Sequence, residues 1–131
     1  MPDFKDLIQS ADWKAEKHVP VIETAEQIKS NEPCLIQVSV GKQIAHPNTT
    51  EHHIRSIDLY FLPRDEKFPY QLARFEFCAH GESALGPNAS TVFCQPQGKC
   101  VFQTAKSGAI IAIAYCNIHG IWKNEKQIEV I

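Results

Sequence analysis

The sequence has no surplus of positive charge, no long apolar run and only one methionine, Met1. Its 13 basic and 15 acidic residues give a formal net charge of -2, which is a poor match for nucleic acid or acidic lipid. No stretch approaches the roughly 20 apolar residues that a membrane-spanning helix needs. The first residues also lack the basic start and apolar core of a signal peptide. These absences predict a cytoplasmic protein with no nucleic-acid partner and no membrane partner.

Paired cysteines are missing as well. The chain has five cysteines, an odd number, and none lies in a Cys-x-x-Cys pair. This usage is typical of a reducing compartment rather than of a secreted disulfide framework. Cys94 and Cys100 flank a plausible hairpin loop, where we expect two free, half-buried thiols. Cys34 and Cys78 lie in alternating apolar segments and are expected to pack as small hydrophobes.

The length of the chain limits the number of domains that it can form. With 131 residues, we expect a single domain over residues 1–131 that buries a real core without help from disulfides or metal. A metal bound here would therefore be functional rather than structural.

Alternation of apolar and polar residues dominates the middle and end of the chain. It predicts strands over 34–40, 54–62 and 68–79, and we expect further strands over 91–94, 99–104, 109–115 and 126–130. Only residues 4–11, with apolar side chains at helical spacing, predict a short N-terminal amphipathic helix. About seven short strands separated by turns predict an all-β fold, an immunoglobulin-like antiparallel β-sandwich.

The run at 109–114, Ala-Ile-Ile-Ala-Ile-Ala, has no polar alternation. A strand of this kind is buried on both faces, either by the core or by a neighbouring subunit. The sequence therefore favours an oligomer.

Directly after this strand, Cys116 and His119 place a thiol and an imidazole three residues apart, as in half of a metal site. Adjacent strand residues point to opposite faces, so only one of the neighbours His52 and His53 is expected to reach the same ion. Spacing alone does not say which. Upstream imidazoles are offered by His18, His46 and either His52 or His53.

The number of imidazoles narrows the choice of metal. A structural zinc site closes with four ligands and would leave histidines unused. A blue-copper site takes two imidazoles and commonly an axial methionine, whereas Met1 is the sole methionine. Four imidazoles with one thiolate suit a five-coordinate iron with an open sixth position. For His53 and His80 we expect a structural or surface position, the usual one for a single histidine.

Three segments resemble those of single-iron superoxide reductases of the neelaredoxin-like type, the family of the desulfoferrodoxin catalytic domain. They are residues 16–23 (EKHVPVIE), 46–55 (HPNTTEHHIR) and 116–120 (CNIHG), in the family's order. The resemblance implies one mononuclear non-haem iron (Fe) per chain, with the Cys116 thiolate as axial ligand. It also selects His52 over His53. The implied equatorial imidazoles are those of His18, His46, His52 and His119.

The resemblance further implies an activity, the one-electron reduction of superoxide to hydrogen peroxide without release of dioxygen. Lys17 would steer superoxide and assist protonation, and Glu16 would ligate the ferric ion after the product leaves. Backbone N–H groups from Asn117 onward would hydrogen-bond the sulfur. A rubredoxin-like protein would donate the electron, and the chain would form a homotetramer.

Two other functions fit the residues by themselves. One is an iron electron-transfer protein without substrate chemistry, and the other is a metal-stabilised binding module. Lys17 beside an open coordination position favours the enzyme over the first of these.

Overall fold

The computed structural model describes all 131 residues and consists of two β-sheets that share one core. A 3-10 helix at Phe4–Leu7 precedes eight strands: β1 Val21–Glu23, β2 Gln27–Ile28, β3 Cys34–Ser39, β4 Ile54–Pro63, β5 Tyr70–Glu76, β6 Gln97–Phe102, β7 Gly108–Cys116 and β8 Gly120–Val130. The smaller sheet has the order β1-β3-β6 and the larger one β2-β8-β7-β4-β5. All neighbouring strands are antiparallel except β2 and β8. The predicted antiparallel β-sandwich is confirmed.

The core lies between the sheets, where alternate residues of the central strands point inward. Ile36 and Val38 of β3 are fully buried, as are Leu59 of β4 and Ile110 of β7. All belong to one cluster of 16 buried residues. Cys116, the last residue of β7, is part of the same cluster. The core therefore fixes the position of its sulfur.

Apart from shifts of one to three residues at strand ends, the strands depart from the predicted ones in three places. Residues 91–94 form no strand, only a bridge between Phe93 and His80, because residues 91–93 are exposed and have no core face. The strands β1 and β2 have three and two residues, too few for an alternation to show in the sequence. β8 begins at Gly120 rather than at residue 126, because polar residues within it mask its alternation.

The N-terminal helix is a single 3-10 turn, shorter than the predicted segment 4–11. Phe4 is 65% and Leu7 50% exposed, so no apolar face is buried that would extend the helix. From Gln9 the chain pairs with β8 instead: its N–H donates to the Ile121 carbonyl at 2.9 Å, and its carbonyl accepts from the Lys123 N–H at 2.8 Å. The structure contains no helix long and apolar enough to cross a bilayer.

The outer face of β7 is less buried than its sequence predicts. Residues of this strand that face the core are buried, whereas Ala109, Ile111 and Ile113 on the other face are half-buried. The prediction of burial on both faces is therefore not met within one chain. An apolar strip remains at the surface of the larger sheet.

All five cysteines are free. Cys94 and Cys100 are half-buried, as predicted, and Cys34 is buried. Cys78 is exposed, contrary to the prediction, because β5 ends at Glu76 and Cys78 lies beyond the sheet.

Candidate metal centre

Five side chains from separate parts of the chain meet beside the end of β7. Ile54, the first residue of β4, pairs with Cys116, so the loop between β3 and β4 enters the sheet next to the sulfur. The sheet register thus brings distant segments together. The five are His18 before β1, His46 and His52 in the β3–β4 loop, Cys116 at the end of β7, and His119 in the turn to β8.

The four imidazole rings form a near-square. Ring centroids are 4.8 Å apart for His18 and His46 and for His46 and His52. They are 5.0 Å apart for His52 and His119 and 4.9 Å for His119 and His18. The diagonal between His18 and His52 is 6.5 Å. Nearly equal sides around a longer diagonal leave a central space shared by all four rings.

Two ring nitrogens in this space have no partner within the protein. His46 Nδ1 lies 2.6 Å from the Pro47 carbonyl, which places the proton on Nδ1 and leaves Nε2 as the acceptor. Nε2 of His46 and Nε2 of His52 are buried without a hydrogen bond. His119 turns Nδ1 inward, 3.1 Å from His18 Nε2. Buried polar atoms of this kind need an explanation, and an ion between the rings would satisfy them.

Cys116 contributes the one thiol of the centre and is fully buried. Its Sγ accepts a hydrogen bond from the His119 N–H at 3.3 Å and lies 3.9 Å from His119 Nδ1. The Asn117 N–H, expected on the sulfur, donates instead to the His53 carbonyl at 3.2 Å. The possible ligand atoms of His18, His52, Cys116 and His119 all lie within 4.8 Å of one another.

This donor set fits iron. Imidazole suits zinc, copper, iron and nickel alike, but a structural zinc ion is closed by four ligands. Four imidazoles and one thiol exceed that number. The residues present therefore fit a single mononuclear iron ion.

Two histidines of the square, His46 and His52, are kept in the form that binds metal. Burial lowers the pKa of His46 from its ordinary value of 6.5 to about 4, although the hydrogen bond to the Pro47 carbonyl opposes the shift. Burial is also the main cause that lowers the pKa of His52, followed by the charge of His119. Both imidazoles are neutral at neutral pH, as metal ligands must be.

Comparison with known proteins establishes the family. Residues 10–125 match the desulfoferrodoxin family. The chain belongs to this family. The superoxide reductase of Pyrococcus furiosus is 55% identical over 126 residues, covering 96% of this chain and 99% of the relative. The neelaredoxin of Megalodesulfovibrio gigas is 46% identical over 123 residues, covering 94% and 95%. The solved structure of the reduced superoxide reductase (neelaredoxin) of Archaeoglobus fulgidus has a TM-score of 0.88 at 51% identity, covering 95% of this chain and 99% of that one.

In this member of the desulfoferrodoxin family, Glu16 and Lys17 directly precede His18, and both are half-buried. Glu16 Oε1 accepts from the His18 N–H at 2.8 Å and lies 2.6 Å from His18 Nδ1. Burial raises the pKa of Glu16, but the hydrogen bonds from His18 outweigh it, so that this pKa lies below its ordinary value. The carboxylate thus holds the Nδ1 proton of His18 and leaves Nε2 free for the centre.

Trp122 supports the desulfoferrodoxin-family centre, and nothing in its sequence spacing marked it. Its ring stacks on His18 with centroids 4.7 Å apart and an interplanar angle of 11°. Its Nε1–H donates to the His119 carbonyl at 3.2 Å, and Gln9 Nε2 donates to the same carbonyl at 2.8 Å. Two members of the square therefore depend on one buried indole.

His53 and His80 lie apart from the square. Their rings stack in parallel with centroids 3.4 Å apart and an interplanar angle of 8°, and both residues are buried. His53 Nδ1 lies 2.9 Å from the Thr49 carbonyl, and the His80 carbonyl accepts from Thr50 Oγ1 at 2.7 Å. The pair thus holds the β3–β4 loop through these hydrogen bonds. Both histidines therefore have a structural position rather than a surface one.

The lowered pKa of His46 predicts how the metal-free protein responds to acid. Below pH 6.5 the unfolded chain takes up a proton that folded His46 excludes until about pH 4, so stability is lost as the pH falls through this range. In urea unfolding at about pH 7.5 and about pH 5, His46→Asn should lose less stability than the parent. Equal losses in the two proteins would contradict the assignment of this pH dependence to His46.

Proposed function

We propose that this chain is a superoxide reductase. It reduces superoxide with one electron and two protons to hydrogen peroxide, and no dioxygen is released. The observation that carries the proposal is the near-square of four imidazoles with a buried thiol beside it. Relatives at 55% and 46% identity are named superoxide reductase and neelaredoxin.

The proposed ligands hold one mononuclear non-haem iron per chain. When bound, iron supplies the one-electron couple between its ferrous and ferric states. Iron commonly takes six donors, so an ion held by these five side chains would have room for a small molecule. His119 is exposed, so this edge of the centre is within reach of a dissolved substrate. The proposed ligands are His18, His46, His52, His119 and Cys116.

Cys116 acts as an electron donor to the centre. A thiolate held against the metal would raise its electron density, as a thiolate does in thiolate-ligated haem proteins. The His119 N–H bonds the sulfur at 3.3 Å, and the core around β7 excludes water from it. Both contacts would adjust how much electron density the thiolate gives to the metal.

Lys17 provides positive charge where the substrate anion arrives. It directly precedes His18 in the chain, and its ammonium is among the charges that lower the pKa of both His46 and His52. A centre with ferrous iron, neutral imidazoles and one thiolate has a local charge of about +1, and Lys17 adds to it. Lys17 therefore attracts superoxide despite the net charge of -2 and assists protonation of the product.

Glu16 has two roles in this proposal. Its carboxylate orients His18 through the Nδ1 contact at 2.6 Å. In the ferric protein the carboxylate would serve as a further ligand to the ion. A hard oxygen donor suits the ion of higher charge better than the ferrous form.

A rubredoxin-like protein is the proposed electron donor. Ile118, between Cys116 and His119, is 57% exposed and offers an apolar contact next to two ligands. A cytoplasmic location is supported by the five free cysteines, which suit a reducing compartment. A single domain over residues 1–131 is supported by the one core cluster that joins both sheets.

A homotetramer is also part of the proposal, and the apolar strip on the larger sheet supports it. Phe4, Leu7, Ile113, Tyr115 and Ile121 line one shallow depression there, which the Asp58–Arg74 ion pair borders. In light scattering we expect the mass of a tetramer for the parent and a smaller mass for Ile113→Asp, because a buried carboxylate would disrupt an apolar interface. Val101→Asp, at a residue 64% exposed on the other sheet, should remain tetrameric. A monomeric parent contradicts the tetramer, and a tetrameric Ile113→Asp protein contradicts this face as its interface.

Rapid mixing tests the activity itself. Reduced, iron-loaded protein mixed with superoxide in a stopped-flow instrument should oxidise in one fast second-order step and yield hydrogen peroxide without dioxygen. An electron-transfer protein would show no such step, and zinc-loaded protein serves as the inactive control. Protein that binds zinc at full occupancy in preference to iron would count against the proposal.

Substitution of Lys17 tests electrostatic steering. Lys17→Ala should retain iron but capture superoxide about tenfold more slowly at low ionic strength, with a weaker salt dependence than the parent. Lys14→Ala is the matched control, since it removes the same charge from an exposed position near Trp13. If the second-order rate of Lys17→Ala equals that of the parent, Lys17 does not steer the substrate.

A further inference from the structure

One side chain links the thiol to the loop that carries His52. Asn117 follows Cys116, at the point where β7 ends. Its Nδ2 donates to the Glu51 carbonyl at 2.9 Å, and its Oδ1 accepts from the His53 N–H at 2.9 Å. Its backbone N–H donates to the His53 carbonyl at 3.2 Å. Asn117 therefore holds the residue before His52 and the residue after it.

The end of the sheet explains why a side chain makes these contacts. β4 and β7 pair as far as Ile54 and Cys116, with a register shift between Ile54 and Ser56. Beyond this pair the chain before Ile54 belongs to a loop, and one backbone hydrogen bond, from Asn117 to His53, remains between the segments. A carboxamide carries a donor and an acceptor in one plane, as a peptide group does. The Asn117 side chain thus continues the hydrogen bonding between β4 and β7 beyond the last paired residues.

Asn88 holds the same loop in a different way. Its Oδ1 accepts from the Thr50 N–H at 2.8 Å, and its Nδ2 donates to the Glu51 carboxylate at 2.9 Å. These bonds tie the loop to the segment after β5 and make no link to Cys116. A variant of Asn88 can therefore distinguish a general loss of order in the loop from the loss of the connection that Asn117 makes to Cys116.

We propose that Asn117 is a positioning residue of the metal centre, which sets the placement of Cys116 Sγ relative to His52 Nε2. It acts through these two ligands and is not itself a donor to the ion. The inference rests on the proposed function only in requiring that a metal binds at this centre.

Cobalt(II) is a suitable probe, because a cobalt–thiolate bond gives a charge-transfer absorption that reports the sulfur ligand. Asn117→Ala should bind Co²⁺ about 10- to 100-fold more weakly than the parent, with this absorption shifted in energy. Asn117→Asp is close in size and keeps the acceptor for the His53 N–H. It places a carboxylate oxygen against the Glu51 carbonyl, however, and should also weaken binding. Circular dichroism of the metal-free proteins establishes that each variant is folded, and Asn117→Asp carries the test if Asn117→Ala is not.

Asn88→Gly is the matched control. Asn88 has a φ of 58°, which glycine adopts without strain, so this variant removes the side chain alone. Its Co²⁺ affinity and absorption should stay near those of the parent. Equal weakening in Asn88→Gly and the Asn117 variants overturns the inference, because loop order alone would then explain it. Unchanged affinity and absorption in the folded Asn117 variants overturn it as well. A parent protein without cobalt–thiolate absorption would instead refute the proposed metal centre.

Discussion

The centre depends on imidazole nitrogens that are buried and have no partner within the protein. Nε2 of His46 and Nε2 of His52 make no hydrogen bond, and burial keeps His46 neutral by lowering its pKa to about 4. A buried acceptor without a partner costs about 1–3 kcal/mol, and a bound ion offsets that cost. The folded chain thus holds lone pairs ready for a metal, and metal binding in turn stabilises the fold.

The two sides of the centre are held by different means. Cys116 is fixed by the core at the end of β7, and Asn117 ties the His52 loop to it. His18 is held by side chains, through the stack on Trp122 and the contact with Glu16. This division suits the proposed chemistry, in which the Cys116 thiolate would stay fixed while the Glu16 carboxylate would have to be free to bind the ferric ion.

The central strands and the candidate ligands could be predicted from the sequence because both depend on local spacing. Alternation marks β4, an unbroken apolar run marks β7, and Cys116 lies three residues before His119. The same reasoning failed for residues 4–11, where helical spacing is present but no core lies beneath it. The contacts of Asn117 and Trp122 could not be predicted, since they join segments far apart in the chain. Spacing also did not say which of His52 and His53 belongs to the centre. The resemblance selected His52, whose ring lies in the square, while His53 stacks on His80.

X-ray absorption spectroscopy of the reduced, iron-loaded protein tests most directly whether the four imidazoles and the thiol share one ion. The technique counts sulfur and imidazole scatterers around the metal without relying on activity. We predict one sulfur and four imidazole nitrogens at each iron. A spectrum without sulfur, or with only two imidazoles, would contradict the proposed centre.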